Sequence, residues 1–68
     1  MSTTLDIRDV TCPLTWVRTK LALEAMQPGE ELLVLLGDPE AIENVPRSVR
    51  EAGHDATVEG SAVRIVRR

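Results

Sequence analysis

The chain has 68 residues, 43% of them hydrophobic, and a formal net charge of −3. A single cysteine, Cys12, excludes an internal disulfide, and Cys12 with His54 are too few soft ligands for a zinc cluster. One domain spanning residues 1–68 is therefore predicted, near the lower size limit for a core without metal or cofactor, built from Val, Leu, Ile and Ala with Trp16 the sole aromatic.

Thr3 to Asp9 sets Leu5 and Ile7 between polar neighbours, the period of a half-buried strand. Pro13 to Met26 is composed of good helix formers and is stopped by Pro28-Gly29. The apolar run within Glu31 to Leu36 is too short for a helix. It predicts a strand covered on both faces or central in its sheet. Asp38-Pro39-Glu40 supplies an N-cap acid, a proline at the first helical position and an acid in the first turn. Pro46 then falls inside the expected helix, which either kinks there or restarts with Asn44 as a cap. Gly53 suits the left-handed position after the helix, and Gly60-Ser61 a two-residue turn between strands Ala56 to Glu59 and Ala62 to Val66.

The order β-α-β-α-β-β implies a right-handed parallel crossover followed by an antiparallel hairpin. The fold class predicted is an α/β two-layer sandwich, a four-stranded mixed sheet with two helices on one face. The first helix carries two apolar groups at helical spacing: Leu14, Val17, Leu21 and Ala25, then Trp16, Ala22, Leu23 and Met26. One stripe suffices to pack on a sheet. The expectation is a broad buried face, the sharper alternative an exposed docking surface beside Cys12 that includes Trp16.

Cys12 stands before a proline and a helix-forming run, which predicts a position at or beside the helix N-cap. Free backbone N–H groups and the positive end of the dipole lower a thiol's pKa there and make it a nucleophile. The strand-to-helix turn also lies where open α/β sheets commonly place their sites. A cysteine hydrolase needs a histidine base, and His54 reads as a solvated residue near a helix C-terminus. There is no resolving cysteine for dithiol chemistry and no phosphate-binding glycine loop. What remains is the chemistry of one thiol that accepts a group, holds it and passes it on.

No apolar leader or span of transmembrane length is present, so a reduced, cytoplasmic setting is expected, with no membrane partner. The acidic balance argues against direct nucleic-acid binding. Arg64, Arg67 and Arg68, without interleaved aromatics, read as a solvated strand end, with docking of an acidic partner protein as the alternative.

Three stretches resemble the TusA/SirA family of small sulfur-transfer proteins. They are Cys12-Pro13-Leu14-Thr15, the helix Val17-Arg18-Thr19-Lys20-Leu21, and Met26-Gln27-Pro28-Gly29-Glu30. Asp38-Pro39 and Val45-Pro46 also fit the family pattern. The resemblance implies a sulfurtransferase acting as a sulfur carrier: Cys12 takes sulfane sulfur from a cysteine desulfurase or rhodanese-like donor, holds it as a persulfide and relays it to an acceptor protein. Such relays feed tRNA thiolation, molybdenum-cofactor assembly or sulfur oxidation. Pro13, Leu14 and Thr15 are expected to support the thiolate at the helix N-terminus, and Trp16, Arg18 and Lys20 to dock partners. Thr15 replaces the family's second proline and brings an N–H and a hydroxyl within potential reach of the sulfur. The alternative is a non-catalytic interaction or regulatory module of the same fold, in which the cysteine is incidental. The sequence leaves oligomeric state open.

Overall fold

The computed structural model of the protein describes residues 2–11 and 14–68. Strand β1 (Ser2–Ile7) leads to helix α1 (Leu14–Glu24), then strand β2 (Glu31–Leu36), helix α2 (Pro39–Glu51) and the strands β3 (Asp55–Glu59) and β4 (Ala62–Val66). The sheet order is β1-β2-β4-β3, with β1 and β2 parallel and the other two pairs antiparallel. The mixed four-stranded sheet with two helices on one face is thus the observed architecture.

Alternation of side chains along each strand decides which face is covered. Leu32, Val34 and Leu36 of β2 are buried, as are Ile7 of β1 and Val63 and Ile65 of β4. Their neighbours Thr4, Leu33 and Arg64, aligned across three strands, lie on the other face. There Arg64 bridges Glu31 (3.6 Å) and Glu59 (3.2 Å). The continuous apolar run of β2 therefore reflects a central strand whose outward leucines remain half-buried.

Helix α2 closes the core with Ala41, Val45 and Val49, spaced every four residues on one face. Asp38 caps its start, accepting from the Glu40 N–H at 3.0 Å. Its end is a Schellman motif: Gly53 (φ +95°) donates to Arg50 and His54 donates to Val49. The helix runs unbroken through Pro46, with no restart at Asn44. An internal proline costs about 3 kcal/mol; here its ring is buried beside the helix's inner face, which offsets the missing N–H.

Four boundaries and one face differ from expectation, the first being the start of β1, which lies one residue early at Ser2. β1 stops at Ile7, because Arg8 and Asp9 form a turn closed by the Val10 N–H on the Ile7 carbonyl (3.1 Å). α1 stops at Glu24, its last residues tightening into i→i−3 bonds from Ala25 to Ala22 and from Met26 to Leu23. β3 starts one residue early, at Asp55. The broad buried face on α1 is not found. Leu14, Val17 and Leu21 are 56%, 46% and 58% exposed, while Thr15, Thr19, Leu23 and Met26 point inward. Thr19 is accommodated there because its hydroxyl donates to the Thr15 carbonyl (2.8 Å), leaving its methyl to pack.

Candidate functional site

The chain leaves β1 through a hydrogen-bonded turn at Arg8 and Asp9. The Asp6 carboxylate receives the Arg8 backbone N–H (3.2 Å), Nε (3.0 Å) and Nη2 (2.9 Å). These bonds hold the Asp6 carboxyl below its ordinary range. Behind the turn, Gly37 lies so close that a Cβ on it would meet the Arg8 carbonyl oxygen at 2.3 Å. The end of β1 is thereby pressed backbone to backbone against the residue that follows β2.

From this anchor the chain passes through Val10, partly packed on the core, and the exposed Thr11. α1 begins at Leu14, and the Thr15 N–H donates to the Thr11 carbonyl at 3.3 Å. Cys12 and Pro13, expected at the N-cap and first helical position, lie outside the described residues. Their described neighbours Thr11 and Leu14 both face solvent. The Thr15 N–H is committed to Thr11, so it is not the free donor to sulfur that the sequence suggested. The Thr15 hydroxyl is fully buried and has no partner among the described residues.

The expected docking residues are not brought together as a trio. Trp16 and Lys20, one helical turn apart, line one groove, whereas Arg18 projects on the far side of the exposed stripe. What joins Arg18 and Lys20 is that stripe itself: Leu14, Val17 and Leu21 run between the two cations along the solvent face.

Arg67 is the clearest miss of the sequence reading. It is not a solvated tail residue: its guanidinium donates to the Met26 carbonyl, and its backbone pairs with Gly29 (2.8 Å) and Glu30 (3.0 Å). Glu30 in turn accepts from the Gln27 N–H at 2.7 Å. The Met26 to Glu30 segment, quoted above as a signature, thus ties the end of α1 to the end of β4. His54 is half-buried, its Nδ1 accepting from the Arg68 N–H (3.0 Å), and it faces the same groove as Trp16 and Lys20. No residue spacing pointed to Arg67 or His54, because the approach is made through tertiary pairing of the chain's end.

Among the described residues no group of three or more potential metal ligands occurs, and no helix is long and apolar enough to cross a membrane. Among the described residues the arrangement presents an apolar helix face with cations on either flank and a small groove at its side, on the helix that follows Cys12 in sequence.

The family model described as sulfurtransferase TusA matches residues 3–67. An Archaeoglobus fulgidus protein named "Putative sulfur carrier protein" is 49% identical over 51 residues, 75% of this chain and 58% of that protein. A Thermotoga maritima protein of the same name is 44% identical over 52 residues, 76% of this chain and 66% of that one. A similarly named protein of Neisseria meningitidis is 42% identical over 53 residues, 78% of this chain and 72% of its own length. The matched stretch thus spans less than two thirds of the first two relatives. With the family match running from the first strand to the residue after the last, this chain belongs to the sulfurtransferase TusA family.

Proposed function

We propose that the protein is a sulfur carrier in which Cys12 accepts sulfane sulfur as a persulfide and relays it to an acceptor protein. The reading is carried by the family match across residues 3–67, a span whose one thiol is Cys12. The Cys12 thiolate attacks the outer sulfur of a donor persulfide R–S–SH; the donor S–S bond breaks and R–S⁻ leaves, giving Cys12–S–SH. A nucleophile on the acceptor then attacks the terminal sulfur, and Cys12 departs as thiolate, ready for another cycle. In this sense the protein is a sulfurtransferase that works by turnover of its own side chain.

Leu14 and Thr15 open α1, and Pro13, Leu14 and Thr15 support the ionised thiol through the helix dipole. Trp16, Arg18 and Lys20 flank the Leu14, Val17 and Leu21 stripe and receive the donor, a cysteine desulfurase or rhodanese-like protein, and the acceptor in turn. An exposed apolar patch with cations at its rim suits brief docking of an acidic surface. The 68 residues act as one domain in a reducing compartment such as the cytoplasm, which keeps a carrier thiol free; tRNA thiolation is one pathway such a relay serves.

Incubation with a cysteine desulfurase and cysteine should add one sulfur, about 32 Da, to the protein, and none to Cys12→Ser. Iodoacetamide should alkylate Cys12 at neutral pH faster than it does free cysteine. An unchanged mass, while a known carrier in the same tube is labelled, rejects the carrier. The exposed stripe equally suits a module that acts by binding alone, and that reading requires Cys12→Ser to keep the full biological effect.

A further inference from the structure

We propose that the groove between α1 and the end of β4 is a recognition site for an acidic segment of a partner protein. An apolar side chain of that segment seats against Trp16, and a neighbouring carboxylate pairs with Lys20 and Arg67. The proposal rests on the docking role given above to Trp16 and Lys20, and it names the chemistry of the segment they receive.

The groove has a volume of about 150 Å³. That equals roughly five waters at their liquid share of ~30 Å³ each. It is well below the ~300–1,000 Å³ of pockets for cofactors and drug-sized ligands, which leaves room for one side chain. Its walls are apolar, from Trp16 and Leu23 on α1 and Ala52 at the end of α2. Its rim is polar, with Lys20, His54 and Arg67 and a single acid, Glu24.

Charge selects the occupant. Among the described residues Arg8, Arg64 and Arg68 each have a carboxylate partner, whereas Lys20 and Arg67, like Arg18, Arg47 and Arg50, have none; of these five only Lys20 and Arg67 line the groove. The Arg67 backbone is held by Gly29 and Glu30, and its guanidinium is oriented by its bond to the Met26 carbonyl. A guanidinium held in place loses little freedom when it pairs, which favours a carboxylate over a neutral group. On a chain of net charge −3 this rim is locally cationic, so its complement is acidic. His54, whose Nδ1 is occupied by the Arg68 N–H, presents Nε2 as a further donor in its neutral form.

The experiment uses the full chain as Cys12→Ser, so that no sulfur chemistry contributes. Acetyl-Glu-Leu-Glu-amide is titrated at low salt, with acetyl-Gln-Leu-Gln-amide as the neutral probe. Trp16 fluorescence and backbone amide shifts are followed. The expected result is a saturable change at Trp16, Lys20, His54 and Arg67 for the acidic peptide, at least tenfold weaker for the neutral one and weakened by salt. Lys20→Glu and, separately, Ala52→Glu should each weaken binding about tenfold, since each puts a carboxylate where one is to be received. Arg67 is kept, because its removal would free the Met26 carbonyl and report on the fold. No shift at millimolar peptide, equal binding of both peptides, shifts centred on the open sheet face, or a groove closed by self-association each overturn the proposal. Sulfur loading of the unmodified protein is read separately by mass, so loss of one result leaves the other standing.

Discussion

Replacing Gly37 with alanine tests whether the Arg8-Asp9 turn is held by close backbone contact. The new Cβ would lie 2.3 Å from the Arg8 carbonyl oxygen, 3.2 Å from its carbonyl carbon and 3.3 Å from its Cα. Carbon atoms rest at about 3.5–4.0 Å, and all three obstacles are backbone, so no rotamer change relieves them. The ends of β1 and β2 must part where Ile7 faces Leu36, both fully buried. Overpacking costs about 1–3 kcal/mol, and a backbone obstacle belongs at the upper end. A chain of this length has about 3–10 kcal/mol in total, so the loss is a large share. At about 4–8 °C per kcal/mol, the melting temperature should fall by roughly 12 °C or more. Gly60→Ala is the comparison: its φ is +63° but its surroundings are open, so only the left-handed backbone, about 1–2 kcal/mol, is at stake. Urea unfolding gives both free energies, and amide shifts show whether Arg8 to Thr11 move. Gly37→Ala within 1 kcal/mol of the parent, or with those amides unmoved, refutes the close contact as the anchor.

Leu21→Glu, on the exposed stripe, should change stability by no more than about 0.5 kcal/mol while slowing sulfur loading from a desulfurase; thermal unfolding and the rate of mass gain check the two halves. Thr15→Val removes a buried hydroxyl without a partner among the described residues and should stabilise by about 1 kcal/mol in urea, with any change in Cys12 alkylation rate reporting a role toward the thiol. The Asp6 carboxyl is lowered by the Arg8 hydrogen bonds, so the ionised form favours the folded state above the usual carboxylate range. That contribution is lost as pH falls through the lowered value, and Asp6→Asn should flatten the acid limb below about pH 4 in an acid unfolding titration.

Elements whose signals are local were legible in the chain. The six residues of β2 matched to the residue because Pro28-Gly29 and Gly37-Asp38 bracket an apolar run. The cap of α2 and its Schellman end followed from Asp38, Pro39 and Gly53, each fitting its position by geometry or hydrogen bonding. The Gly60-Ser61 turn followed likewise, with Gly60 at positive φ. Features made by long-range pairing were not legible. Nothing in Ala62 to Val66 says that β4 sits between β2 and β3, and nothing in Arg67 says that it reaches the Met26 carbonyl. The Gly37 contact with Arg8 is of the same kind, since a glycine beside a turn acid reads as loop chemistry until the facing strand is known.

α1 is where local pattern and tertiary structure disagree, and the disagreement has a physical direction. Counting threonine as polar turns Thr15 and Thr19 outward, yet both are fully buried, while three large apolar side chains face solvent. Fully burying a leucine or valine is worth about 1.5–3 kcal/mol, so a sequence tuned for stability alone would place the stripe inside. This chain leaves it outside on the helix that directly follows Cys12, in a protein with little core to spare. Departures from local consistency concentrate where a protein must meet something else. The inward threonines keep α1 thin on its packed side, and among the described residues Leu14, Val17 and Leu21 stay about half exposed, so the rest of their burial is available only to a complex. Should partners dock on the stripe as proposed, its cost falls on the free protein and is recovered in each complex.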